Sequence, residues 1–495
     1  MTTAYAFQLR LASFLGGFTV MAVELVGARV LAPYLGTTIT VWSALIGIVL
    51  AFLSVGYYAG GKLADRFSSV RQLAGLYCVA GLAIALIPYS AGKMLPILQE
   101  SGLSLSWQSL FAATLFFGIP SLTLGATSPY ITRLALNTVK DSGSTMGTFS
   151  ALSTVGSIVG TLLTGLVLIQ YFGTHNILLG LASLSLCIAA LVYPHKKAGV
   201  AVILGLLVIV TQGRYMQAVH ARNVSNGFVD TDTAYSRVWV YPEMNWDGRE
   251  IRVMRIGNEY SSAEYTDNGG GLVFDYIKAY QLDSYFFPDP QNILVIGGAA
   301  YTYPKELLKR FPNAQVDVVE IDPGVTKLAQ EHFNLVPDPR LTIIHEDGRT
   351  FLNKNEKKYD LIFGDAFRSV QIPFQLVTQE AFARIAAALT EDGVMIMNVI
   401  GGLTGDTSHI TQSIVQTAQV SLPEGALFQV YEGIDSASLQ NVIFVASKSP
   451  LQDDAAGADE LQRKYLSLRW NKGWDGELPI LTDQFAPVER YARSR

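Results

Sequence analysis

Between Phe14 and Thr211 the chain is written in apolar runs about as long as a lipid bilayer is thick, and nothing else in it limits the fold as strongly. A helix needs about 20 apolar residues to cross the hydrocarbon core. Runs of that size fall near 11–33, 41–61, 73–92, 108–132, 146–170 and 175–193. A seventh, 198–212, is shorter and reads as interfacial or as a poorly tilted span. Beyond Arg214 the density of charge returns to that of a soluble protein. Over all 495 residues only 16% are charged and mean hydropathy is +0.29, against about 25% charged in an ordinary soluble domain. The deficit sits in the first half. The sequence therefore predicts a polytopic α-helical membrane domain of six or seven spans over 1–213, followed by a soluble half large enough for its own core. A net charge of −5 leaves no footprint for nucleic acid.

Basic residues in short loops set orientation. Arg10, Lys62, Arg66, Arg71, Arg133, Lys140, Lys196 and Lys197 fall on one side, with Lys93 the exception. This places the amino terminus in the cytoplasm, in a cell membrane of the bacterial inner-membrane type. Six spans return the soluble half to the cytoplasm, and seven place it outside. The first run is long, contains Glu24 and has no small-residue cleavage site, so it reads as a retained span rather than a signal peptide. Glu24 and Arg29 are costly in lipid and call for a partner or a cavity. Gly56–Gly60 and Gly156–Gly160 have the small-xxx-small spacing of close helix crossings. Cys78 and Cys187 both lie in apolar runs and predict neither a disulfide nor a metal site.

The soluble half opens with a β-hairpin-rich segment, 214–285, in which 234–262 alternates apolar and polar residues around a turn at Asn245–Gly248. From 286 to 495 short apolar strands alternate with helices: "ILVIG", "QVDVVEID", "RLTIIHED", "YDLIFGDA" and "GVMIMNVI". That rhythm predicts a Rossmann-like α/β domain with a parallel sheet covered on both faces. Such sheets bind ligands at the carboxyl ends of their strands. Gly297 and Gly298, Glu320, Asp347 with Gly348, and Asp365 all sit at such ends. Glycines let backbone approach a ligand, Glu320 suits ribose hydroxyls, and Asp347 suits the exocyclic amine of adenine. Asp365 points to the reacting end. A dinucleotide site would need G-x-G-x-x-G before a helix. Here the third glycine is missing, which favours a phosphate-free nucleoside such as S-adenosylmethionine or its decarboxylated form. The six histidines have no ligand spacing, so no metal is expected, and no serine–histidine–acid set is evident.

"ILVIGG", "VVEIDP", "DPRLTIIHEDGRTFL", "YDLIFGDAF" and "LTEDGVMIMN" resemble, in order and spacing, the spermidine synthase (polyamine aminopropyltransferase) family. The membrane-anchored branch, fused to a transporter-like region, is the nearest in pattern. "LPILTDQFAPVER" (478–490) resembles that branch's carboxyl-terminal motif and contributes Asp483 as a candidate substrate contact. "GNEYSSAEYTDNGGGLVFDYIKAY" (257–280) resembles the segment that holds the family's active-site tyrosine, with Tyr276 in that place and Tyr260 nearby. "GGKLADR" after the second run resembles a loop of major-facilitator transporters. The resemblance implies transfer of an aminopropyl group from decarboxylated S-adenosylmethionine to putrescine, releasing methylthioadenosine. Glu320 would then bind ribose, Asp347 adenine, and Asp365 the attacking amine.

The sequence also departs from the family. Its glycine loop reads Ala299, Ala300, Tyr301 where the family has an acid. After Asp365 come Ala366, Phe367, Arg368, Ser369 and Val370, without the family's second acid. Arg368 would repel a diamine and could hold a carboxylate instead. Tyr235, Tyr260, Tyr265 and Tyr276 are candidate pocket walls. Three readings follow: an aminopropyltransferase with putrescine or another amine as acceptor; an S-adenosylmethionine lyase or methyltransferase without a polyamine; or a transporter with a nucleoside-sensing domain. The partners implied are a small nucleoside, an amine and the lipid bilayer, with homo-oligomerisation left open.

Overall fold

A computed structural model of the chain describes residues 3–136, 142–194, 227–267, 270–366, 373–454, 457–474 and 476–491. Between 195 and 226 it describes 199, 203, 205–207, 209–211, 213–214, 218, 222–223 and 225. The chain divides into two compact units, Met1–Arg237 and Val238–Arg495.

The first unit is built from α1 (Thr3–Leu35), α2 (Ile39–Arg66), α3 (Val70–Gln99), α4 (Leu105–Ala135), α5 (Ser142–Leu163), a π turn at Thr164–Leu168, α6 (Ile169–Tyr171) and α7 (Thr174–Val192), and ends with strand β1 (Val229–Asp232). Among the described residues six helical stretches are long and apolar enough to cross a membrane, counting α5 through α6 as one. They overrun the apolar runs because polar ends continue the same helices. α2 begins where the Thr38 hydroxyl accepts from the Val41 N–H, and α3 where Ser69 accepts from Arg71. The 198–212 run falls partly outside the described residues, and those described within it are helical. Lys140, Lys196 and Lys197 also lie outside them.

Both small-residue pairs sit where helix backbones meet. A Cβ on Gly56 of α2 would stand 2.2 Å from the Leu122 carbonyl oxygen of α4, and one on Gly60 would stand 2.5 Å from the Ala126 Cα. On α5, a Cβ at Gly156 would be 1.9 Å from the Phe14 carbonyl oxygen of α1, and one at Gly160 2.5 Å from that of Phe18. Side chains in lipid gain little from leaving it, so helices associate through this close packing and through hydrogen bonds. The α1–α5 seam has two such bonds, Ser13 Oγ to the Phe149 carbonyl at 2.9 Å and Ser157 Oγ to that of Gly17 at 3.2 Å. Arg29, near the end of α1, donates to the carbonyls of Thr233 and Ala234, at 2.6 and 2.9 Å.

In the second unit β2 (Arg237–Met244), β3 (Glu250–Ile256) and β4 (Glu259–Tyr265) form the expected antiparallel hairpins. Gly248 closes the first turn with φ +78°, and its N–H reaches the Asn245 carbonyl at 2.9 Å. The larger sheet contains β5 (Asn292–Ile296), β6 (Gln315–Val319), β7 (Leu341–Ile344), β8 (Tyr359–Gly364), β9 (Leu389–Gly401), β10 (Glu424–Gln429), β11 (Gln440–Ser447) and β12 (Arg469–Trp470). Their order is β12-β10-β11-β9-β8-β5-β6-β7.

The part predicted as parallel, β9-β8-β5-β6-β7, is parallel. The sheet as a whole is mixed, because β11, β10 and β12 add to it antiparallel. The segment between β10 and β11 contains no helix to carry the chain across a face, so the strand returns alongside its neighbour. The central strands are buried on both faces, which is why they read as unbroken apolar runs. Leu294, Ile296, Ile362 and Met395 enter one core, and Ile293, Val295, Leu361 and Phe363 enter the other.

Gly156→Val should destabilise the α1–α5 seam by about 1–3 kcal/mol, the usual cost of overpacking. It should lower the thermal midpoint of the purified protein in detergent, whereas the same change at Gly165, which has no neighbour within 4 Å, should leave it nearly unmoved.

Candidate active site

The second unit brings the predicted strand-end residues together. β5 ends at Ile296 and is followed by Gly297; β6 ends at Val319 before Glu320; β8 ends at Gly364 before Asp365; Asp347 follows β7. In a parallel sheet these ends share one edge, and backbone bonds knit them. The Gly297 N–H reaches the Val319 carbonyl at 2.9 Å, the Asp365 N–H the Ile296 carbonyl at 2.9 Å, and the Glu320 N–H the Ile344 carbonyl at 3.0 Å. Gly297 has φ +102°, and a Cβ there would lie 2.6 Å from the Asp365 carbonyl oxygen. No other residue fits.

Glu320 is 8% exposed, and its carboxylate accepts three backbone N–H groups. Oε2 takes Gly298 at 2.9 Å and Ala299 at 3.1 Å, while Oε1 takes Asp322 at 2.9 Å. It therefore shapes the glycine turn itself. Of a carboxylate's roughly four acceptor positions, Oε1 keeps the one least committed. Asp322 in turn caps the helix Pro323–His332 through the Gly324 N–H, at 2.9 Å.

Two non-glycine residues in this turn adopt left-handed backbone, Ala299 at φ +44° and Tyr301 at φ +56°. Such conformations are uncommon and persist only where the surroundings hold them. Here the hold is visible. The Ala300 N–H donates to Ser262 Oγ at 3.2 Å, and the buried Tyr301 hydroxyl pairs with Thr326 Oγ1 at 2.8 Å. Thr326 also meets His345 Nε2 at 3.0 Å. The tyrosine that replaces the family's loop residue is thus a buttress beneath the turn.

Asp347 caps the helix Gly348–Lys354: Oδ1 accepts from the Thr350 N–H at 2.9 Å and from its hydroxyl at 3.2 Å. Its other oxygen has no partner among the described residues. Gly348 packs on β5, where a Cβ would stand 2.7 Å from Ile296 Cγ2.

Asp365 is half-buried, and Tyr276, Tyr280 and Asn398 stand round its carboxyl group. Burial pushes its pKa up to about 7, against the lowering effect of Tyr280 and then Asn398. Tyr276 and Tyr280 are held well above the usual phenol range, first by burial and then by the nearby Asp365 charge, so both are neutral donors. The Asn398 amide is oriented from behind, its Oδ1 accepting from Asn441 Nδ2 at 3.0 Å. An aromatic wall continues from there. Tyr276 stacks on Phe274 at 6.0 Å and meets Tyr280 edge-on at 5.8 Å.

Other predicted positions lie elsewhere. Asp483 pairs with Arg349 at 2.7 Å and accepts from the Thr378 hydroxyl at 2.7 Å, on the side of Asp347. Tyr260 is 51% exposed and lies against Arg255. Tyr265 ties the hairpin turn, donating to Asp247 at 2.8 Å and accepting from Asn245 at 3.0 Å. Tyr235 is exposed and belongs to the first unit. Arg368 and its neighbours Phe367, Ser369 and Val370 lie outside the described residues. Tyr280 and Asn398 were not predicted. Their signals were a second tyrosine four residues after Tyr276 and one amide inside the apolar run "VMIMNVI". Among the described residues no cluster of three or more histidines, cysteines or acids could hold a metal ion.

The model of the spermine/spermidine synthase domain matches residues 281–431. A polyamine aminopropyltransferase of Ruegeria sp. (strain TM1040) is 30% identical over 205 residues, 39% of this chain and 69% of that one. The chain belongs to the spermidine synthase family. The polyamine aminopropyltransferase of Vibrio vulnificus (strain CMCP6) is 29% identical over 245 residues, covering 47% of this chain and 80% of that protein. A probable polyamine aminopropyl transferase of Bifidobacterium longum (strain NCC 2705) is 28% identical over 284 residues, covering 53% and 63%. The second unit is accordingly a spermidine synthase-like transferase, a family whose co-substrate is decarboxylated S-adenosylmethionine. The matched domain begins well after the six apolar helices.

Glu320→Ala should leave the Gly298 and Ala299 amides unpaired and weaken nucleoside binding by about 2–3 kcal/mol, the scale of hydrogen bonds to a charged group. Calorimetry with methylthioadenosine on a folded variant checks this. An unchanged affinity would remove Glu320 from the nucleoside site.

Proposed function

We propose that this protein is a membrane-bound aminopropyltransferase whose base for the acceptor amine is Asp365. The observation that carries the reading is the place of Asp365, at the end of β8 with its backbone packed against Gly297 of the glycine turn, where burial also raises its pKa to about 7. An alkylammonium has a pKa of about 10.4, so its proton moves to an ordinary aspartate only at great cost. Raising Asp365 to about 7 narrows the mismatch to about 3 pH units, or about 4–5 kcal/mol. The sulfonium nucleoside lies with its ribose toward Oε1 of Glu320 and its adenine toward the unengaged oxygen of Asp347. The amine gives a proton to Asp365, and its lone pair attacks the carbon next to sulfur. The carbon–sulfur pair leaves with sulfur as methylthioadenosine.

A second reading rests on the turn. Ala299, Ala300 and Tyr301 bring no charge to it, so nothing there anchors an ammonium group of the co-substrate. A lyase acting on intact S-adenosylmethionine would need no such anchor and would release methylthioadenosine without an amine. Incubation with each nucleoside, with and without putrescine, separates the two. Aminopropyl transfer predicts release only with the decarboxylated nucleoside and amine together.

On the first reading Asp365→Asn should lower turnover by at least about a hundredfold, the low end of general-base contributions, with nucleoside binding kept. The rate should rise about tenfold per pH unit on the acidic side and level off above about 7, since the deprotonated carboxylate is the active form. A flat profile from pH 5 to 8 would count against Asp365 as the base.

The six apolar helices support a membrane location, and the basic loops support a cytoplasmic amino terminus and, with six spans, a cytoplasmic catalytic unit. With Cys78 and Cys187 replaced, single cysteines introduced at 68 or 133, both exposed, should resist an impermeant maleimide in intact cells and react after lysis. Labelling from outside would reverse the orientation.

A further inference from the structure

The apolar run 198–212 follows the six long helices. Its described residues are helical, and Ile209 is buried in the same core as the other spans. Two glycines fix its direction. A Cβ on Gly205 would stand 2.7 Å from Leu186 Cδ1, and one on Gly213 3.6 Å from Leu179 Cδ1, both on α7. From 205 to 213 a helix rises about 12 Å, while the partner residue steps back along α7 by about 10 Å. The run therefore climbs beside α7 and antiparallel to it. A helix lying flat across the end of the bundle could not meet α7 at two levels.

The chain that follows is fastened at the other end of the bundle. Thr174, the first residue of α7, gives its N–H to Asp232 Oδ2 at 2.7 Å. Arg29, in the last two turns of α1, donates to the carbonyls of Thr233 and Ala234 at 2.6 and 2.9 Å. Arg237 closes the segment on Asp230 through two bonds of 2.7 Å each. A guanidinium inside a span needs such acceptors, and a carboxylate at a helix amino terminus is favoured by the helix dipole. α1 and α5 run parallel, since Ser13 meets Phe149 and Gly17 meets Ser157, as the first and fifth spans must. The end of α1 and the start of α7, the sixth span, lie on the far side from the amino terminus, and residues 230–237 lie there with them. Val238, where the second unit begins, is the next residue.

We propose that 198–212 is a seventh crossing and that the transferase unit works outside the cytoplasm, on the side opposite to the amino terminus. The side is set by Lys62, Arg66, Arg71 and Arg133, at the ends of α2, α3 and α4 that share the amino-terminal side. The six-span arrangement is set aside, because it needs 230–237 at the other end of α7. One consequence rests on the aminopropyltransferase reading: the enzyme meets both nucleoside and amine in the outer compartment. A sulfonium carries a permanent charge, which lipid does not admit without a partner. A carrier-mediated transfer across the membrane must then come before the reaction to supply its co-substrate, and methylthioadenosine is set free outside.

The test uses the full-length chain with Cys78 and Cys187 replaced, in spheroplasts. Trp246 is fully exposed in the turn between β2 and β3, and Ser68 is exposed between α2 and α3. An impermeant maleimide should label Trp246→Cys in intact spheroplasts as fully as after lysis, and Ser68→Cys only after lysis. Two sites that behave alike would overturn the seventh crossing. Labelling of Ser68→Cys alone from outside would overturn the outer placement. Decarboxylated S-adenosylmethionine and putrescine added outside should yield methylthioadenosine at the same rate before and after lysis, and a rate seen only after lysis would again overturn the proposal. If no methylthioadenosine forms in either case while the labelling is as expected, the aminopropyltransferase reading fails and the outer placement stands.

Discussion

One buried carboxylate organises the transferase unit. Glu320 draws the N–H groups of Gly298, Ala299 and Asp322 toward itself, and they belong to two parts of the site. The first two define the glycine turn, and the third begins the segment that caps the next helix. Without an acceptor at this point, buried amides would be orphaned at the sheet edge, where no strand follows to pair with them. The turn could not then hold Ala299 and Tyr301 in left-handed backbone. The position of Gly297 against Asp365 follows from the same turn.

The second half of the site works by a different balance. At the turn, the charge of Glu320 is satisfied by amides. At Asp365 the neighbours are neutral phenols and an amide, and burial outweighs them. The sheet edge therefore holds two acids in different settings, one bonded to backbone amides and the other raised by burial among neutral groups.

Much of this was legible in the residues. Apolar runs located the six long helices, since length and hydropathy are enough to mark them. The strand–turn–helix rhythm located Glu320, Asp347 and Asp365 at strand ends, because a parallel sheet leaves few other places for an acid after an apolar run. What the sequence hid were contacts between distant segments. Nothing local to Asp483 announces Arg349, 134 positions away, and its pairing turns that acid toward the helix after β7. The antiparallel return of β10 and β11 was hidden because buried strands have the same apolar pattern in either direction. Tyr301 looked like a lost functional residue, and only its bond to Thr326 reveals a support. Tyr280 and Asn398 needed the fold to bring 280 and 398 to the same carboxyl group.

The contact between Gly297 and the backbone of Asp365 has a consequence for how such an enzyme diverges. The glycine turn and Asp365 are one rigid piece, joined through main chain with no room for a side chain between them. Mutation cannot adjust one without disturbing the other. The remaining walls are side chains from separate segments: Tyr276 and Tyr280 before the first sheet strand, and Asn398 on β9 with Asn441 behind it on β11. These can be exchanged one at a time while the glycine turn and Asp365 stay intact. On the function proposed above, descendants of such a protein should share how they expel the nucleoside and differ in what they offer it, with new acceptors recruited through a handful of substitutions on the aromatic side.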